Sequence, residues 1–154
     1  MSTIKVDTYL TRGGASEIAI DKLKGASSAG SMTVVGEGGS TTTNLQQGLC
    51  KTWINFKPGG TISIYDSFNV SSLTDTATGQ YGININNDFS NTVYAVSGIQ
   101  QWDESDDSNE GQWVNISKRG SAQTTGALQI SITNEKATVN DCHKGCFIFM
   151  GDLA

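Results

Sequence analysis

Apolar and polar residues alternate along much of this chain with the period of two that marks a strand with one buried face. The cleanest case is Leu128, Ile130 and Ile132 set against Gln129, Ser131 and Thr133. Tyr81, Ile83 and Ile85 alternate in the same way with Gly82, Asn84 and Asn86, and Ile62 and Ile64 with Thr61, Ser63 and Tyr65. Trp53 to Phe56, Thr92 to Gln101 (through Val93 to Ile99) and the run opened by Trp113, Val114 and Ile116 read as further strands. Pro58-Gly59-Gly60, Thr78-Gly79 and Asn86-Asn87-Asp88 supply turn chemistry between them. The stretch Cys146 to Met150 is apolar on both faces, which predicts a central strand or one covered by a partner chain. Strands at this spacing predict an all-β domain over residues 49–154, an antiparallel β-sandwich or jelly-roll-like fold.

Residues 1–48 read differently. Ile4, Val6, Thr8 and Leu10 alternate with polar neighbours, and Ile18 and Ile20 lie in a stretch too short for a stable free helix, so both pieces are expected to be extended. From Gly25 to Gly48 the chain is rich in Gly, Ser and Thr, with one strand-like island at Met32 to Val35. Such a segment cannot by itself bury enough apolar area to offset its ordering entropy. An extended N-terminal attachment and oligomerisation segment over residues 1–48 follows, with Ile4, Val6, Ile18 and Ile20 needing a neighbouring copy to cover them. Phe147 and Phe149, on the doubly apolar strand, are expected to form a second surface of that kind.

Composition narrows the picture further. With 18 glycines and a single proline, almost every backbone N–H is free to join a ladder. Charged residues are only 16% of the chain, below the roughly 25% of ordinary soluble domains, and hydroxyls and amides cover the polar faces instead. A net charge of −5 argues against nucleic acid or an anionic membrane as partner, since both require a basic patch. No apolar run has the length of a membrane span or of a signal-peptide core, so assembly in a cytoplasm is expected. Three cysteines, an odd number, make a disulfide framework improbable.

Candidate chemistry is sparse. Cys142, His143 and Cys146, even joined by Cys50, lack the second ligand pair of a structural zinc site, and buried free thiols are the simpler reading. His143 is the only histidine, and no G-x-S-x-G elbow is present, so a hydrolase is disfavoured and no enzyme or cofactor is expected. The acidic loop with Asp103, Asp107 and Glu110 departs from the calcium-loop template, and like-charge runs are usually solvated. Trp102 and Trp113 flank that loop, with Tyr94 on a preceding strand; rings beside carboxylates can stack a sugar, which makes Trp102, Asp103, Asp107, Glu110 and Trp113 the candidate glycan or receptor site. Core or interface tryptophans are the competing reading. Asn69-Val70-Ser71 and Asn115-Ile116-Ser117 match glycosylation sequons without a secretory signal.

One stretch carries a family resemblance. Trp53, Asn55 and Phe56, then Gly60-Thr61, Ser67, Asn69-Val70-Ser71-Ser72, Thr74-Asp75, Thr78-Gly79, Tyr81 and Tyr94-Ala95-Val96 resemble a module of small virion proteins from marine bacteriophages, tail-fibre-like or structural; the opening Ser2 to Thr8 is similar too. Lys57-Pro58-Gly59 departs from that pattern, and the acidic loop and cysteine pair have no counterpart in it. The resemblance implies a non-enzymatic virion component, a small fibre, spike or capsid-decorating appendage. Its N-terminal segment would trimerise or attach to other virion proteins, and its β-domain would project; the candidate residues Trp102, Asp103, Asp107, Glu110 and Trp113 would then be the part that touches host-surface glycan. A stand-alone carbohydrate-binding module with a calcium-assisted sugar site is the alternative.

Overall fold

A computed structural model of the chain describes Lys22, Gly25 and residues 32–101, 112–116, 122–134 and 138–154, of which 112–116 are described by their backbone. The protein is all-β with antiparallel sheets. β1 (Thr33–Val35) and β2 (Thr42–Asn44) make a small hairpin, and the single turn α1 (Leu45–Gly48) follows. Asn44 caps that turn by accepting from the Gln47 N–H at 3.1 Å, which satisfies one of the donors a helix start leaves open. Beyond it run β3 (Thr52–Lys57), β4 (Ser63–Phe68), β5 (Val70–Ala77), β6 (Gln80–Ile85), β7 (Ala95–Gln101), β8 (Gln112–Ile116), β9 (Ala127–Asn134) and β10 (Lys144–Met150). These eight form two four-stranded sheets, ordered β4-β3-β10-β7 and β5-β6-β9-β8.

The two sheets share one core. Ile54, Phe56, Phe147 and Phe149 from the first meet Tyr81, Ile83, Leu128, Ile130 and Ile132 from the second, and the Phe56 and Tyr81 rings make an edge contact with centroids 5.7 Å apart. Each such side chain, fully enclosed, stabilises the fold by about 1.5–3 kcal/mol. Glycine makes room for these rings within the first sheet: Gly145 is the cross-strand partner of Phe56 and Gly98 of Phe147, and a Cβ on Gly145 would come within 2.6 Å of the Phe56 ring while one on Gly98 would collide with Phe147.

The chain passes from the first sheet to the second through one residue, Asn69, between β4 and β5. Its φ of 60° is in the left-handed region that asparagine tolerates better than most side chains. The side chain fastens the corner: Nδ2 donates to Lys51 O at 3.1 Å, Thr52 Oγ1 at 3.0 Å and Asn87 O at 3.1 Å, while Oδ1 accepts from Asn87 N at 2.7 Å. An amide nitrogen committed in this way is not free to carry a glycan, so the sequon at Asn69 is a by-product of the corner. A second fastening joins the β5–β6 turn to the segment before β10. Gly79 (φ 66°) lies so close to Asn140 that a Cβ would stand 2.7 Å from its backbone, and Asp141 accepts from Gly79 N at 2.7 Å and from the Tyr81 hydroxyl. Burial and the hydrogen bond to Asp141 both hold the Tyr81 phenol well above its ordinary range.

Several expected strands are found with changed bounds or faces. β4 begins at Ser63, two residues later than the alternation suggests, and a bulge opposite Asn55 and Phe56 interrupts its register. β7 begins at Ala95, because Asn91 turns the chain by accepting from Val93 N at 2.9 Å. Its apolar residues also face the other way: Val93 is 84% and Ile99 72% exposed, while Tyr94 and Val96 pack inward. β5 is a strand the periodicity does not announce. Phe147 and Phe149, expected at a contact between copies, are 3% and 0% exposed within this chain's own core, so that expectation is corrected: β10 lies between β3 and β7 and offers a second copy only its alternate residues. Ile4, Val6, Ile18 and Ile20 lie outside the described residues.

Candidate functional surface

Of the proposed glycan-site residues, Trp102, Asp103, Asp107 and Glu110 lie outside the described residues, and Trp113 is placed by its backbone on β8, in register with Thr133. Tyr94 is not a platform residue. It is 5% exposed, stacks on Phe89 with ring centroids 4.1 Å apart, and donates its hydroxyl to Ala127 O at 3.1 Å. Burial raises its phenol to about 12.

The cysteines separate. Cys142 is 2% exposed and points its thiol at Lys144 O, 3.3 Å away, and burial pushes that thiol up to about 12. A thiol held protonated is neither a nucleophile nor a metal ligand at neutral pH. Cys146 lies on the opposite side of the first sheet with its sulfur 3.6 Å from Asn55 Oδ1, and Cys50 donates to Thr52 O at 3.2 Å. Among the described residues no three of His, Cys, Asp and Glu gather where they could hold a metal ion. No described helix is long and apolar enough to cross a membrane.

What the described residues do assemble is a face. Register places Phe68, Trp53, Ile148 and Ser97 in one row across the outer side of the first sheet, and Asp66, Asn55, Cys146 and Ile99 in the next. Phe68 is 53%, Ile148 47% and Ile99 72% exposed, and Met150 continues the face at 38%. Tyr65, freed by the β4 bulge, lies under the Lys144 ammonium, 5.9 Å from the ring centroid. Small Ser97, Gly98 and Cys146 leave a depression of about 430 Å³ between Trp53, Ile99 and Ile148. A second cleft, about 680 Å³, opens where the face meets α1, between Leu49, Phe68, Asp152 and Leu153. There Lys51, 8% exposed, donates to Gln46 O at the end of α1, and the Gln47 amide donates to Asp152.

Alternation alone would not have found this face: its members come from four strands, and only the doubly apolar β10 announced that the sheet has something to cover on both sides. No family model, curated protein or solved structure matches the chain.

Proposed function

We propose that the protein is a non-enzymatic structural component of a bacteriophage particle, a small fibre, spike or capsid-decorating appendage that works as a homotrimer. Residues 1–48 are its attachment and oligomerisation segment in this reading, and the β-domain faces outward toward host-surface glycan or receptor. The observation that carries the proposal is where the phage-like residues fall. Trp53, Asn55 and Phe56 occupy β3, Asn69 is the corner between sheets, Gly79 and Tyr81 form the fastening to Asp141, and Tyr94 and Val96 pack into the core. Many of the resembling residues therefore build the fold. That pattern suits a module selected as a building block.

Locating the polypeptide in purified particles tests the proposal. Mass spectrometry of gradient-purified virions should find the chain in stoichiometric amount, and cryo-electron microscopy should show threefold density attached through the N-terminal segment. A chain absent from washed particles, or one that turns over a polysaccharide, would remove the reading. Calcium-dependent glycan binding by a single-copy species would favour the carbohydrate-binding module instead.

A further inference from the structure

We infer that the outer face of the β4-β3-β10-β7 sheet is a self-association surface, on which a second copy of this chain packs with its strands running antiparallel. The inference does not rest on the virion reading. It comes from the complementarity of the face with itself when it is turned about an axis along the row Phe68, Trp53, Ile148 and Ser97.

Such a two-fold lays each residue of that row on its own counterpart, so the exposed parts of Phe68, Trp53 and Ile148 cover one another. Residues on either side of the row change places. On β10, two positions before Ile148 stands Cys146 in its depression and two after stands Met150, so the protruding Met150 side chain of one copy meets the hollow of the other. On β7, counting from Ser97, protruding Ile99 meets small Ala95. The exchange also carries Lys144, four positions before Ile148, toward the α1 end of the face, where Asp152, past the end of β10, lies in the cleft with its carboxylate accepting from the Gln47 amide, so that an ammonium approaches a carboxylate at both ends of the contact. Large meets small and positive meets negative. A parallel arrangement about a threefold axis would instead bring Lys144 to Lys144.

Four strands about 4.8 Å apart and some seven residues long give a footprint of roughly 450 Å² per copy, about half that of a standard interface. The contact is accordingly weak and visible only in concentrated solution. Face-to-face packing of this kind keeps two sheets about 10 Å apart, within reach of an extended lysine.

Sedimentation equilibrium of the full chain from micromolar to submillimolar concentration tests the inference, with circular dichroism and a melting curve confirming that each variant folds. Any association through residues 1–48 is common to all variants, so differences read this face alone. We expect the average mass to rise with concentration, and Ile148→Lys to weaken that rise at least ~10-fold by burying an unpaired charge. Gln129→Lys, on the outer face of the other sheet, should leave it unchanged. Lys144→Asp and Asp152→Lys should each weaken association by roughly 3–10-fold, and the double exchange should restore it. Equal masses for wild type and Ile148→Lys at every concentration would overturn the surface and leave the face to a different partner. A double exchange no better than either single one would overturn the antiparallel arrangement.

Discussion

The two sheets bury the same kind of residue between them and present opposite kinds to the outside. On the second sheet the outward positions of β5, β6 and β9 are Ser72, Thr74, Gln80, Asn84, Gln129, Ser131 and Thr133. These groups answer one another, with Asn84 Nδ2 donating to Ser72 Oγ at 2.9 Å and Thr74 Oγ1 at 3.1 Å. On the first sheet the corresponding positions include Trp53, Phe68, Ile99 and Ile148 beside Asn55, Asp66 and Ser97. Among the described side chains, which leave out those of β8, the exposed large apolar ones on the two sheets, namely Ile64, Tyr65, Phe68, Ile99, Ile148 and Met150, belong to the first. A sheet facing water gains nothing from such residues, whereas one facing protein does. The difference separates a solvent face from a contact face within one domain, with no reactive group required to mark it.

The sharpest way to test inside against outside uses two neighbours on β10. Phe149→Ala removes a ring that is 0% exposed, and we expect a loss of about 3–5 kcal/mol in denaturant unfolding. Ile148→Ala, on the same strand and 47% exposed, should cost less than about 1 kcal/mol when measured in dilute solution. Equal losses would mean that Ile148 is buried within the single chain, and the contrast between the faces would fail.

Next in size is the corner that makes two sheets out of one chain. Asn69→Ala removes the hydrogen bonds to Lys51, Thr52 and Asn87 and places alanine at a φ of 60°, so about 2–3 kcal/mol should be lost. Asn69→Gly keeps the backbone conformation and loses only the hydrogen bonds, and should recover about 1 kcal/mol of that loss. If both variants melt with wild type, the corner is held by the flanking strands and not by its side chain.

How much of this was legible in advance follows from the same contrast. Strands with one wet face carry their burial in the sequence, so Leu128, Ile130 and Ile132 and the Tyr81 to Ile85 run were found by alternation alone. β5 was not, because an edge strand whose outward residues are hydroxyls and whose inward apolar residues are only Val70 and Leu73 looks like a loop. β7 misleads in the other direction: Val93 and Ile99 imply a buried face that the fold turns outward, since Gly98 must lie inside to admit Phe147. The candidate face was half legible. The apolar run from Cys146 to Met150 announced two covered sides, but Trp53, Phe68 and Ile99 join it only through the sheet order, which pairing across 40 or more residues decides.

A pH series reads the enclosed thiol of Cys142, in the segment just before β10. Cys142 titrates near 9 when unfolded and at about 12 when folded. Below pH 9 both states keep the proton and stability is unaffected. Above it the unfolded chain ionises while the native thiol does not, so the native state binds more protons and stability falls as pH rises. Tyr94, raised from 10 to about 12 by burial, adds to the fall from pH 10 upward. Cys142→Ala should therefore flatten the decline between pH 9 and 10, read as unfolding free energy against pH. A wild-type curve level to pH 11 would show that Cys142 is not enclosed.

The smallest effect is expected where the second sheet meets water. Asn84→Ala deletes the amide that bridges Ser72 and Thr74, but all three groups are within reach of solvent, which replaces the lost bonds; the net cost should be about 0.5 kcal/mol or less. A loss above about 1.5 kcal/mol would mean the polar ladder holds β5 to β6 and is more than a wet surface. Asn84→Val carries the reasoning one step further. It improves strand propensity while making this face resemble the other, so stability in dilute solution should change by no more than about 0.5 kcal/mol. Its average mass at high concentration should stay with wild type too, because one valine among hydroxyls and amides has only the small Ala127 opposite it as an apolar neighbour. If that single change alone drove association, exposed apolar area by itself would be enough, and the matched positions of Met150 with Cys146 and of Lys144 with Asp152 would not be what singles out the first sheet.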